Sequence, residues 1–182
     1  MIKKLKVAIF GGSFNPPHLA HHLIAQKALK ELDIDLLIIL PAYQNPLKST
    51  SPISSELRLD WCRKIFDDKK MLISSYEIDN KIHYTHKSIE HFSKIYEIKY
   101  LIIGSDNLKD LPKWHNFELI NDTITWIVFT RNDTLVDTSL LKRYKVIKFD
   151  LPISSTEIRQ SGDLEYIDSK IKHSVKNILE GK

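Results

Sequence analysis

Short apolar runs alternate along this chain with segments whose apolar residues recur every three or four positions, and this alternation restricts the fold more than any other feature. Lys6 to Phe10 reads as a buried strand. From Leu19 to Leu32, the residues Ala20, Leu23, Ile24, Ala28, Leu29 and Leu32 form one face of a helix. Asp35 to Leu40 is a second strand, stopped by Pro41. Leu57, Trp61, Ile65 and Phe66 mark a second helix, Met71 to Ser74 a short strand, and Ile89 with Phe92 a third helix before the strand Ile98 to Ile103. Ile124 to Phe129 and Val146 to Phe149 are further strands, and Ile171, Val175, Ile178 and Leu179 lie along a closing helix. The pattern predicts an α/β fold with a mainly parallel sheet flanked by helices. In such sheets ligands bind beyond the carboxyl ends of the strands, where the chain order reverses, so the loops after strands are where chemistry is expected.

With 182 residues, the chain is expected to be a single domain over positions 1–182. Its formal charge of +4 suits an anionic ligand such as a nucleotide, although a lysine-rich composition also follows from genomic base bias. Lys and Arg are dispersed without a dense basic block, which argues against a nucleic-acid partner. A single cysteine, Cys62, excludes an intramolecular disulfide framework and fits a reducing compartment. The first apolar stretch is too short for a signal-peptide core or a membrane span, so a cytoplasmic location without membrane attachment is expected. A homo-oligomer is compatible with the sequence.

Two segments stand out. The first strand runs into Gly11-Gly12-Ser13-Phe14-Asn15-Pro16-Pro17-His18. The glycines let the backbone turn sharply and approach a ligand, and the following helix start offers free N–H groups to a phosphate. His18 and His21 are three apart and can point to one side. The alternatives are a plain glycine turn before an amphipathic helix with exposed histidines, or a metal site of His18, His21 and His22; no acidic or cysteine partner stands at ligand spacing for the latter. Far along the chain comes Ile153-Ser154-Ser155-Thr156-Glu157-Ile158-Arg159. Its hydroxyls can cap a helix, or they can bind phosphate together with the forked guanidinium of Arg159.

The first loop is neither a GxGxxG fingerprint nor a P-loop. It closely resembles the signature of the HxGH nucleotidyltransferases, and within them the bacterial nicotinate-nucleotide adenylyltransferases. The motif reads His18-Leu19-Ala20-His21, with alanine where glycine is usual, and a small adjustment of the adenine pocket is expected from the extra methyl. The later segment resembles the ISSTxxR motif of the same superfamily at every fixed position. The resemblance extends over nearly the whole chain and implies a Rossmann-like, doubly wound fold of the nucleotidyltransferase type.

Weaker matches lie between. Pro46-Leu47-Lys48 resembles a lysine-bearing loop in which Lys48 reaches a phosphate; a solvated lysine is the other reading. Arg58 opens a helix as in the family and is expected to be a surface or structural arginine. His83-Tyr84-Thr85 resembles a Ser-Tyr-Thr element beside the nicotinate ring, with histidine replacing serine. Gly104-Ser105-Asp106 resembles the GxD turn near the adenosine, where the carboxylate accepts from a ribose hydroxyl or instead caps a helix. Leu111-Pro112-Lys113-Trp114-His115 resembles the LxxW element, implying that Trp114 stacks on the pyridine ring; core packing is the alternative. Cys62 reads as core filling.

The resemblance implies transfer of AMP from ATP to nicotinate mononucleotide, giving deamido-NAD and pyrophosphate in NAD biosynthesis. It assigns His18, His21 and Arg159 to catalysis. Gly11, Gly12, Ser13, Phe14, Lys48, Gly104, Asp106, Ile153, Ser154, Ser155 and Thr156 would line the ATP and phosphate side, and Tyr84, Thr85, Trp114 and His115 the mononucleotide side. Mg²⁺ would arrive with ATP, without a protein metal cluster. Phosphopantetheine adenylyltransferases usually have threonine at the position of His18, and cytidylyltransferases differ over Ile153 to Arg159. A nicotinamide mononucleotide enzyme, or a silent nucleotide sensor on the same fold, remains an alternative.

Overall fold

A computed structural model describes residues 3–47, 53–131, 136–151 and 153–181. Six strands form one all-parallel sheet: β1 (Lys6–Gly12), β2 (Leu36–Pro41), β3 (Met71–Ile73), β4 (Glu97–Gly104), β5 (Thr125–Arg131) and β6 (Tyr144–Phe149). Their spatial order is β3-β2-β1-β4-β5-β6. The chain grows outward from β1 in one direction and then restarts at β4 in the other. The order therefore reverses between β1 and β4, the doubly wound arrangement whose crevice binds ligands.

Each expected strand is present, displaced by a residue or two at its ends. Pro41 closes β2 from within, pairing in register with Gly12. A terminal proline is tolerated there because its missing N–H falls at the end of the ladder. Gly11 and Gly12 likewise belong to β1, opposite Leu40 and Pro41. They extend the strand to the rim of the sheet, and the turn expected of them occurs after them.

Alternate side chains of β1 feed two cores. Ala8 and Phe10 enter one cluster, shared with α1 (Leu19–Glu31), α2 (Ser55–Ile65), α6 (Ser155–Ser161) and α7 (Ser169–Leu179). Val7 and Ile9 enter the other, shared with α4 (Thr85–Ser93), α5 (Phe117–Thr123) and the 3₁₀ helix Ser105–Lys113. This two-sided burial explains why the strands read as continuous apolar runs. The period-3.6 helices were legible in sequence; the short α3 (Tyr76–Asp79), α5 and the 3₁₀ helix were not, because four to nine residues carry too little periodicity. Cys62 is fully buried beside Trp61, and burial pushes its thiol far above the ordinary range. Trp61 is tied across to α7 by its indole N–H, which donates to Ser174 Oγ at 3.0 Å.

Candidate active site

The carboxyl ends of β1, β2, β4 and β5 open into a cavity of about 1020 Å³. That is spacious for one drug-sized ligand and suits two nucleotides. Its wall includes Gly11, Gly12, Ser13, Phe14, His18 and His21 from the first loop, and Ser154, Ser155, Thr156 and Arg159 from the start of α6.

These two segments are joined directly. Ser155 Oγ donates to the Pro16 carbonyl at 2.9 Å, across 139 positions of sequence. Arg159 Nη1 donates to the Asn15 carbonyl, across 144 positions, and to the Ser155 carbonyl at 3.1 Å. Ser154 caps α6: its Oγ accepts from the Glu157 N–H at 3.1 Å, while the Glu157 carboxylate accepts from the Ser154 N–H. Capping and cavity lining thus coexist in this segment.

His18 is buried at the N-cap of α1, and the two imidazole centroids lie 3.9 Å apart. His21 Nδ1 accepts from the His18 backbone N–H at 3.2 Å. An Nδ1 that accepts must carry the lone pair, which leaves the proton of the neutral ring on Nε2. Phe14 supports this geometry from below, its ring edge-on to His21 at 5.0 Å. Phe14 adopts φ 46°, a costly left-handed conformation for a bulky residue, and is buried. A Cβ on Gly12 would stand 3.2 Å from the Phe14 ring, so this glycine makes room for the ring that backs the histidine. His22 turns elsewhere, with Nδ1 3.0 Å from the Ile65 carbonyl, so the three-histidine arrangement does not assemble.

Other expected residues are distributed around the same cavity. Gly104 and Asp106 line it after β4; a Cβ on Gly104 would collide with the Asp106 carboxylate, which folds back over it. Tyr84, Thr85, Trp114 and His115 form another part of the wall. Tyr84 and His115 stack at 4.7 Å, and the buried His86 stacks on His115 at 4.8 Å. Burial and the neighbouring His115 lower the pKa of His86. Trp114 is half-buried, edge-on to Trp126 at 6.1 Å, so it packs against the core and faces the cavity at once.

Three expectations need correction or fall outside view. Ile153 does not line the cavity: it is buried in the apolar cluster beneath, where its side chain has more to gain than at a phosphate. Ala20 is also buried in that cluster and is absent from the cavity wall, so its methyl packs the core and does not adjust an adenine pocket. Lys48 lies outside the described residues.

Of the two readings of Arg58, surface or structural, the structural one holds. It is 4% exposed and donates to three carbonyls: Ser13, Ala42 at 2.8 Å and Tyr43 at 3.0 Å. It therefore pins the loop after β1 to the loop after β2. Asn15 and Thr130 were not singled out as site residues; both are buried and line the cavity, and Asn15 Oδ1 and Thr130 Oγ1 have no hydrogen-bond partner among the described residues. Glu77, on the cavity wall, is buried, and this pushes its carboxyl up to about 7. No sequence pattern marks it.

The raised Glu77 pKa has a stability consequence. Between the ordinary carboxyl value of 4.5 and about 7, the folded chain holds a proton that the unfolded chain has released. Its contribution to stability is complete below the lower value and lost as pH rises through the higher one. Glu77→Gln, which cannot ionise, is expected to be more stable than the parent at pH 8 by roughly 3 kcal/mol, with no such gain at pH 4.5. Urea unfolding at the two pH values checks this; an equal difference at both would mean that Glu77 titrates normally.

The all-parallel doubly wound sheet brings His18, His21, Ser154, Ser155, Thr156 and Arg159 onto the wall of one cavity at its carboxyl end, an arrangement compatible with the nucleotidyltransferase class. A cytidylyltransferase-like family profile matches residues 9–161. A protein of Sulfurovum sp. named "Probable nicotinate-nucleotide adenylyltransferase" is 51% identical over 98% of this chain and 96% of its own length. One of the same name from Aliarcobacter butzleri is 37% identical over 98% of this chain and 99% of its own. The solved nicotinic acid mononucleotide adenylyltransferase of Plasmodium falciparum, complexed with NaAD, shares the fold at a TM-score of 0.70 and 19% identity, covering 97% of this chain and 98% of that one. The chain belongs to the nicotinate-nucleotide adenylyltransferase family within the cytidylyltransferase-like nucleotidyltransferases.

Proposed function

We propose that this protein transfers AMP from ATP to nicotinate mononucleotide, forming deamido-NAD and releasing pyrophosphate, in the cytoplasm. The observation that carries the reading is the junction of the two phosphate-type motifs, Ser155 to Pro16 and Arg159 to Asn15, beside the paired histidines.

The 5′-phosphate of the mononucleotide is already an anionic nucleophile, so no side chain need remove a proton from it. Its oxygen attacks the α-phosphorus of ATP, forming a new P–O bond as the bond to the β-phosphate oxygen breaks in line. Catalysis then consists of positioning and charge stabilisation. His21 serves as a fixed Nε2–H donor to the phosphates, with His18 beside it and the Arg159 guanidinium opposite. Ser154, Ser155 and Thr156 hold phosphate oxygens at the start of α6, and Gly11 to Phe14 allow the triphosphate to approach the backbone. Asp106 faces the adenosine ribose. Mg²⁺ enters as part of the MgATP substrate. Tyr84, Thr85, Trp114 and His115 receive the pyridine ring.

Incubating the protein with MgATP and either nicotinate or nicotinamide mononucleotide tests the reading. Pyrophosphate release with a preference for the nicotinate form is expected; nucleotide binding without release would reduce the protein to a sensor. Arg159→Ala is expected to weaken ATP binding by roughly 1.5–3 kcal/mol, the range for a lost charge-assisted bond. Calorimetry showing unchanged ATP affinity would remove Arg159 from the site.

A further inference from the structure

Glu77 is the most deeply buried acid on the cavity wall, yet the reaction has no use for a base there. Its surroundings explain what it does. The Ser88 hydroxyl, on α4, donates to Glu77 Oε1 at 2.7 Å, and this pair is buried. The Tyr43 backbone, in the loop after β2, lies near enough to favour the ionised carboxyl. The carboxyl is thus engaged by protein groups.

Both partners lead to the mononucleotide side. Ser88 stands one turn along α4 from Thr85, whose preceding residue, Tyr84, is the N-cap of that helix. The Tyr43 ring packs edge-on against His83 at 5.2 Å, and its carbonyl accepts from Arg58 at 3.0 Å. Tyr43 is thus held by Arg58, which also grips Ser13, and its backbone lies beside the Glu77 carboxyl. Tyr43, His83, Tyr84 and Thr85 all face the cavity.

We propose that Glu77 is a positioning residue for the mononucleotide subsite, fixing the loop that carries Tyr43 against the helix start that carries Tyr84 and Thr85. The inference rests on the adenylyltransferase reading above. It separates the two substrates, because Glu77 engages Ser88 on the helix that carries Tyr84 and Thr85, whereas Ser155 and Arg159 are tied to the Pro16 and Asn15 carbonyls without it. A neutral amide can replace the carboxyl, since it can accept from the Ser88 hydroxyl through its oxygen or donate to it through its NH₂. Alanine can do neither.

Steady-state kinetics of the full chain with nicotinate mononucleotide and MgATP, each varied in turn, provides the test. Glu77→Ala is expected to raise KM for the mononucleotide about tenfold, the effect of one lost strong hydrogen bond, and to leave KM for ATP within about twofold. Glu77→Gln should restore the mononucleotide KM to near the parent value. Ser88→Ala, a smaller change should Glu77→Ala fail to fold, should show the same one-sided rise at lower amplitude. Equal changes in both KM values, a change in kcat alone, or no recovery with glutamine would overturn the positioning role. Absence of pyrophosphate release by the parent chain with every mononucleotide would instead overturn the reading beneath it.

Discussion

His21→Ala is expected to lower kcat by roughly 10²–10³ while the fold survives, the loss typical of one preorganised donor to developing charge. The structure supplies the reason for so large an effect. His21 Nδ1 is committed to the His18 backbone N–H, and the ring is backed by Phe14 and placed against His18. On the proposed reading, the Nε2–H would meet the phosphates without having to find its tautomer or its orientation during the reaction. Such a donor acts most where charge redistributes, so KM for either substrate should move far less than kcat. His21 is only half-buried, so removal of its ring should cost little stability. Pre-steady-state measurement of product formation separates the chemical step from release. A folded variant turning over at near-parental rate would show that the imidazole is not a participant.

Arg58→Met should destabilise the protein by about 3–5 kcal/mol, because buried acceptors are left without their donor. Methionine keeps much of the volume, so the loss reports the polar contacts and not a void. The Ser13, Ala42 and Tyr43 carbonyls all lose a partner together. The two loops they belong to bound the cavity, so binding of both substrates should weaken in the surviving folded fraction. Guanidinium unfolding gives the first quantity and calorimetry the second. A loss below about 1 kcal/mol would mean that water satisfies these carbonyls as well as the guanidinium does.

The fold was legible because a doubly wound sheet writes its strands as unbroken apolar runs; Val7 to Phe10 and Leu37 to Leu40 are buried on both faces. The meeting of two distant segments on one cavity wall was legible for a different reason. They are compact, residues 11–21 and 154–159, and their unusual composition has few structural explanations. Arg58 was read only as far as a surface or structural arginine, because its partners are backbone carbonyls of two distant loops; Glu77 escaped altogether, since its hydrogen-bond partner, the Ser88 hydroxyl, lies on another helix. Ile153 was assigned to the phosphates by its place in the motif, but an aliphatic side chain next to a sheet edge goes where apolar neighbours are. Gly12 was read as part of a sharp turn, whereas it ends β1 and also leaves space for the Phe14 ring.

The seam between the opening turn and α6 also bears on the order in which the proposed site would assemble. A polypeptide emerging from the ribosome as far as Phe149 already holds every strand of the described sheet, yet it lacks the segment that Ser155 and Arg159 belong to. The Leu19 N–H must still meet the Tyr166 carbonyl, and Ser155 must still reach Pro16. On the proposed reading, nucleotide affinity would be a late acquisition in biosynthesis, and retention on immobilised ATP would sort finished molecules from unfinished ones.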